Sequence, residues 1–290
     1  MGNTTKLIFN VFKLRIGIVI AITALAGIAI TPGPQVPLWQ VAILGLAVLL
    51  SSASAGAFNQ YYEVDLDRKM DRTRRRPFAT GVLHAHRGWL TLIVLMTLLP
   101  VAVAWHAVNP VAAVFTFLGA FFYAVVYTVW LKRRTWWNIV IGGMAGSFAV
   151  LAGAATVTPG LSPEAMLLAL VLFLWTPSHF WSLAIAFHDD YAKAGVPMLP
   201  VVKGDAFAAK AILANTVLLV GASLAPALYR PGWIYLSGAA IGGAYFLYYN
   251  VRLVMDPNRR TAMACFHASL LQLSLLLVVA MLDAAWSGGG

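Results

Sequence analysis

Hydrophobic positions along this chain come in long unbroken runs, with neither the alternation of a half-buried strand nor the one-sided stripe of a surface helix. Nine segments reach the roughly 20 apolar residues that a membrane-crossing helix needs. They lie near residues 14–31, 38–58, 89–106, 110–130, 137–157, 164–187, 207–228, 232–250 and 263–285. The connections between them alternate. Those at 32–37, 107–109, 158–163 and 229–231 are short, rich in Pro or Gly and nearly uncharged. The N-terminus and the connections at 59–88, 131–136, 188–206 and 251–262 are longer or basic.

With their immediate helix edges, these basic segments hold every lysine and arginine of the chain except Arg230. Cytoplasmic loops carry such an excess. The pattern predicts an all-α polytopic membrane protein with nine spans around a central cavity, N-terminus inside and C-terminus outside. Composition agrees. Of 290 residues 61% are hydrophobic and 10% charged, with mean hydropathy +0.80, where soluble domains carry roughly 25% charged residues. The net charge of +10 follows from the loop bias and does not require nucleic acid as a partner. Cys265 is the single cysteine, which excludes an internal disulfide and a multi-cysteine metal site. The first apolar run lacks a small-residue cleavage site and reads as a retained helix.

The acids follow the basic face as well, apart from Glu164 and Asp283. Acids contribute little to orientation, so a different requirement places them there. Residues 59–76 read NQYYEVDLDRKMDRTRRR and directly follow the second apolar run. Charge is costly beside hydrocarbon, and a polar cluster at such a position marks a functional site. Asn59, Glu63, Asp67 and Asp71 are spaced four apart. If the helix continues, they form one slowly rotating stripe, with Asp65 on the opposite face. Hard oxygen ligands in this number suit Mg²⁺, which takes one or two carboxylates plus waters and phosphate oxygens. The arginines that follow offer planar forks matched to phosphate. The combination describes a diphosphate site; a solvated helix end with topology-setting arginines is the plainer alternative.

A second cluster, HDDYAKAGVPMLP at 188–200, follows the sixth run as the first follows the second. Asp189 and Asp190 thus predict a weak internal duplication within one domain spanning 1–290, its two acidic motifs (59–71 and 189–190) facing one cavity. Sites in repeat-built membrane proteins lie at such interfaces.

Four blocks carry a resemblance: NQYYEVDLDRKMDRTRRRPFATG, YTVWLKRRTWWNIVIGGMAG, WTPSHFWSLAI and DDYAKAGVPMLPVVKG. The chain resembles the UbiA-type intramembrane prenyltransferases with an NxxxDxxxD motif, and within them the heme-modifying branch. The resemblance implies transfer of a farnesyl group from farnesyl diphosphate to a vinyl group of heme b, giving heme o, with Mg²⁺ bridging the diphosphate. Asn59, Glu63 and Asp67 match the first metal motif and Asp190 the second, as catalytic and metal-binding residues; Asp71 continues the metal set. Arg72, Arg76 and Lys132 match basic positions around diphosphate, although Tyr127 precedes Lys132 by one residue more than usual. His179 and His188 are candidate heme contacts, His179 as axial ligand or hydrogen-bond partner, or else as a buried structural histidine. The family usually has Asp where this chain has Glu63, with Asp65 in reserve for that role. The implied setting is a bacterial inner membrane with the site toward the cytoplasm. The lipid bilayer and a heme a synthase are the implied further partners. A sister enzyme acting on an aromatic or quinone precursor shares the metal motifs. A transporter for an anion or divalent metal, the other competing class, is disfavoured because the charges collect at one membrane face and not at mid-span.

Overall fold

The computed structural model describes residues 3–229 and 232–287, and every regular element among them is helical. Arg230, the cation expected on the far face, lies outside the described residues. In chain order the helices are α1 (Asn3–Val11), α2 (Leu14–Ile30), α3 (Leu38–Tyr62), α4 (Val64–Lys69), α5 (Pro77–Thr80), α6 (Arg87–Ala107) and α7 (Pro110–Phe121). The last runs on as a π-helix, Phe122–Leu131. Then come α8 (Asn138–Gly142), α9 (Met144–Val157), α10 (Pro163–Ala186), α11 (His188–Lys193), α12 (Leu199–Lys203), α13 (Asp205–Leu224), α14 (Trp233–Met255) and α15 (Arg259–Ser287).

Local sequence sets several starts. Asn109 and Ser162 cap α7 and α10 by accepting the Ala112 and Ala165 amides, each with proline at the first helical position, where the missing N–H costs nothing. Among the described residues seven helices are long and apolar enough to cross a membrane, or eight if α1 and α2, bent by 57°, form one span. The predicted ninth coincides with α14, which has the length at 23 residues. Its tyrosines, glycines and Asn250 leave it less apolar than the others.

The helices form two groups. In one, α2 packs on α3 and α9, α3 on α6, and α7 on α6 and α9. In the other, α10, α13, α14 and α15 pack in a ring. Contacts of α9 with α10 and of α2 with α15 join the groups. Small residues allow the closest approach, as is usual in membranes: a Cβ at Gly153 would collide with the Ala24 carbonyl, and one at Gly27 with that of Val150. Large apolar residues such as Leu46, Leu98, Val217, Leu218 and Ile241 face outward, while Asn59, Gln60, Glu63, Asp67, His179, Asn250 and Gln272 are buried. This inverted distribution is what a hydrocarbon surround requires. The short helices α4, α5, α11 and α12 gather at the basic end. At the other end the two exceptional acids, Glu164 and Asp283, line one cleft with Tyr235, whose backbone N–H donates to Asp283.

Candidate active site

The expected stripe is not one continuous helix. Glu63 leaves helical geometry (φ −99°, ψ 20°), ending α3 and starting α4. The break retains Asn59, Glu63 and Asp67 on the inner side, all buried, Glu63 with 0% of its surface exposed. Because α4 ends at Lys69, Asp71 falls in a turn. Its side chain is 67% exposed and pairs with Arg74 at 3.2 Å, away from the other three. Asp65 points outward, as its position on the opposite face predicts, with 56% of its side chain exposed. It accepts two hydrogen bonds from Arg133 at 2.8 and 2.9 Å. These bonds hold the Asp65 carboxyl below the usual aspartate range. Geometry therefore puts Glu63, and not Asp65, among the inner oxygens.

Each inner oxygen group meets a cation. Lys132 donates to Glu63 at 2.5 Å, and Arg76 donates to both carboxylate oxygens of Asp67 at 2.9 and 3.0 Å. Lys13 donates to Asn59 Oδ1 at 2.6 Å and to the Tyr123 hydroxyl at 2.9 Å. Lys13, Glu63, Asp67, Arg76 and Lys132 lie within electrostatic reach of one another. The second motif joins them: Asp190, 7% exposed, accepts the backbone N–H of Arg72 at 3.1 Å, and the Arg72 guanidinium reaches the Tyr191 hydroxyl at 3.3 Å. The two acidic motifs, far apart in sequence, thus meet at one face. His188 sits to the side, half-buried, with Nδ1 2.7 Å from Asp205. His179 lies deeper, within α10.

Sequence reading counted Lys13 only for topology. In the structure it is the one described non-glycine residue with positive φ (46°). Holding such a residue in the left-handed region costs about 1–2 kcal/mol, and the reward here is an amine aimed into the cluster from the bend between α1 and α2. Thr128 was missed as well. Fully buried, it accepts the Asn59 Nδ2–H at 3.1 Å while donating to the Tyr123 carbonyl, which orients the Asn59 amide with Oδ1 inward. The π-helix also explains the long Tyr127–Lys132 spacing. The Lys132 N–H bonds to the Tyr127 carbonyl, five residues back, so the wider turn returns Lys132 to the face of Tyr127, with its amine 5.7 Å from that ring. Such segments recur at functional sites.

Among the described residues no three His, Cys, Asp or Glu side chains converge into a metal-holding group; lysine and arginine occupy the space between the carboxylates. The donor set nevertheless fits Mg²⁺, which needs only one or two carboxylates with waters and phosphate oxygens. Glu63 Oε1 is sealed from solvent without a hydrogen-bond partner, an oxygen with spare capacity for a cation. Glu63, Asp67 and Asp190 face Lys13, Arg72, Arg76 and Lys132, so positive charge exceeds negative, as a diphosphate-binding surface requires.

A helical membrane bundle with a buried face of oxygens and cations is the architecture of an intramembrane prenyltransferase, and residues 20–276 match the UbiA prenyltransferase family. The chain belongs to that family and is a prenyltransferase. It is 56% identical to protoheme IX farnesyltransferase 2 of Paramagnetospirillum magneticum (strain ATCC 700264 / AMB-1) over 99% of this chain and 100% of that protein. It is 50% identical to protoheme IX farnesyltransferase 1 of the same organism, over 98% and 100%. Among solved structures, one concerning digeranylgeranylglyceryl phosphate synthase shares the fold with a TM-score of 0.79 at 19% identity, covering 98% of this chain and 99% of that one. A UbiA homolog from Archaeoglobus fulgidus bound to DMAPP and Mg²⁺ does so at 0.70 and 14% identity, covering 93% and 98%.

Proposed function

We propose that this enzyme joins the farnesyl group of farnesyl diphosphate to a vinyl group of heme b, yielding heme o and diphosphate. The observation that carries the reading is the cluster itself: Asn59, Glu63, Asp67 and Asp190 brought to one membrane face and interleaved with four cations. Its relatives named for protoheme IX support the acceptor, and the homolog bound to DMAPP and Mg²⁺ supports the metal.

Lys13, Arg72, Arg76 and Lys132 hold the diphosphate, releasing the carboxylates they now pair with. Asn59, Glu63, Asp67 and Asp190 would hold Mg²⁺, with Thr128 setting the Asn59 amide. Mg²⁺, when bound, neutralises part of the charge that grows on the leaving diphosphate. The cations do the same from the other side, already in place before the C–O bond breaks. The bond from C1 of the farnesyl chain to diphosphate oxygen ionises, and the terminal vinyl carbon attacks C1. The positive charge passes to the carbon next to the pyrrole, where water adds and releases a proton. Tyr123, Tyr127 and Tyr191 line the approach and limit premature capture of the allylic cation by water. His179 and His188 are assigned to the acceptor side, and Asp71 to the periphery of the metal set.

The break-and-acid arrangement at the ends of α3 and α10 supports an internal duplication. The loop charges support nine spans with the N-terminus and the site toward the cytoplasm of a bacterial inner membrane, from which the product passes to a heme a synthase.

The test is incubation of the purified enzyme with heme b and farnesyl diphosphate, with and without Mg²⁺, read by mass spectrometry. A heme product carrying the hydroxyethylfarnesyl addition, dependent on Mg²⁺ and suppressed by EDTA, is expected. Unchanged heme alongside prenylation of an aromatic or quinone precursor would reassign the acceptor.

A further inference from the structure

A second polar island lies inside the membrane span. His179 on α10 is 6% exposed, and its Nδ1 lies 2.7 Å from Ser269 Oγ on α15. The Ser269 hydroxyl donates to the Phe266 carbonyl at 2.6 Å. A hydroxyl has one proton, so Ser269 can only accept from the histidine, and Nδ1 carries the hydrogen. No carboxylate pairs with this imidazole among the described residues, so nothing nearby would balance a second proton in an apolar span. The lone pair therefore sits on Nε2, which makes no hydrogen bond among the described residues.

The ring cannot turn away. Trp175 stacks on it at 4.1 Å and 18°, Phe266 at 4.4 Å and 29°, and Phe180 meets it edge-on at 4.9 Å. Trp175 is in turn fixed by its Nε1–H, which donates to the Ser269 carbonyl at 2.9 Å. A histidine serving structure alone needs no such clamp and would use both nitrogens. A rigid neutral imidazole whose Nδ1–H is anchored and whose Nε2 is open is the arrangement of metal-bound histidines, in which the outer partner fixes tautomer and ring orientation.

We infer that His179 Nε2 is the axial ligand of the iron of the acceptor porphyrin, with Ser269 as its positioning residue; this rests on the acceptor reading above. Eight residues separate His179 from Phe187 at the α10 break, about 12 Å at 1.5 Å per residue. Iron held at that depth leaves only the rim of the macrocycle, where the vinyl groups are, to extend toward the acid cluster.

The experiment uses the full-length enzyme in lipid nanodiscs, without farnesyl diphosphate. It is titrated with ferric heme b and with metal-free protoporphyrin IX. The wild type is expected to bind heme at least roughly tenfold more tightly than the metal-free ring, with a low-spin histidine-type Soret band. His179→Ala is expected to lose both the band and the preference for iron, and His179→Gly to regain the band on adding imidazole. Ser269→Ala, which keeps the ligand, is expected to weaken heme binding roughly 10- to 100-fold, the usual cost of losing an outer partner. Equal affinity of the wild type for the two porphyrins, or an unchanged heme spectrum in His179→Ala, overturns the assignment while leaving the acceptor reading intact. Failure of the wild type to bind either porphyrin overturns both.

Discussion

The ends of α3 and α10 use the same backbone device and load it differently. Glu63 (φ −99°, ψ 20°) and Phe187 (φ −122°, ψ 37°) each interrupt a long helix, which restarts one residue later as a short one. Each short helix then places a buried acid in its first turn, Asp67 in one and Asp190 in the other. At the break itself the first half has a sealed carboxylate bonded to Lys132, and the second an aromatic ring with the guanidinium groups of Arg72 and Arg259 at 5.8 and 5.4 Å. Asp67 is held by both carboxylate oxygens to Arg76, whereas Asp190 is held by one backbone N–H. The difference teaches that the halves divide the work. The first supplies most of the charge for the leaving group. The second supplies one lightly committed acid, an aromatic wall and, deeper in the same helix, the His179 ring.

That division is open to test. The largest effect is expected from removing the acids: Asp67→Ala and Asp190→Ala should each lower turnover by roughly 10³-fold or more while the protein still inserts and purifies normally. They should differ in character, because Asp67→Ala also frees Arg76 and so changes the KM for farnesyl diphosphate, whereas Asp190→Ala should change mainly the Mg²⁺ concentration needed. Near-normal activity in both would remove the two-motif site. Next, Lys132→Met should raise the farnesyl diphosphate KM by roughly 10- to 100-fold, worth about 1.4–2.8 kcal/mol, with heme affinity unchanged in the same titration.

Smaller again is Thr128→Val, which keeps shape and removes the hydroxyl. A rise of roughly tenfold in the Mg²⁺ requirement, restored by Thr128→Ser, would show that orienting Asn59 matters; equal effects of both would not. Glu63→Asp should retain activity within roughly tenfold, since it supplies the same carboxylate one methylene shorter. The smallest effect belongs to the outer pair. Asp65→Asn should cost under about 1 kcal/mol of stability, because the ion pair with Arg133 is largely exposed. The Asp65 carboxyl is lowered in the folded state, so its contribution is present above the ordinary aspartate value near 3.9 and is lost as pH falls through the lower folded value. The difference in melting temperature between wild type and variant should therefore be small at pH 7 and fade below about pH 4.

Much of this protein was legible as text. Runs of apolar residues admit only helices in a bilayer, since every backbone polar group must be satisfied within its own segment. Their lengths, the basic connections and the acids at 59–71 and 189–190 therefore pointed to a membrane bundle with a charged face. A four-residue spacing also correctly separated Asp65 from the Asn59, Glu63 and Asp67 face. The spacing failed at Asp71, because it assumes a continuous helix and the chain turns after Lys69.

What the sequence determined by itself was thus the class of fold, the family and which acids belong to which motif, all properties of short stretches and their spacing. Tertiary structure alone decided which cation meets which oxygen. Lys13 reaches Asn59 from a left-handed bend, Lys132 returns to Tyr127 through a π-turn, and Arg72 binds Asp190 from the other half of the molecule. The tautomer of His179 belongs to the same class, because it depends on a serine ninety residues away whose only proton is already committed. Hydrogen bonds are satisfied in space, among groups that helix packing brings within 3 Å, and no local pattern encodes that packing.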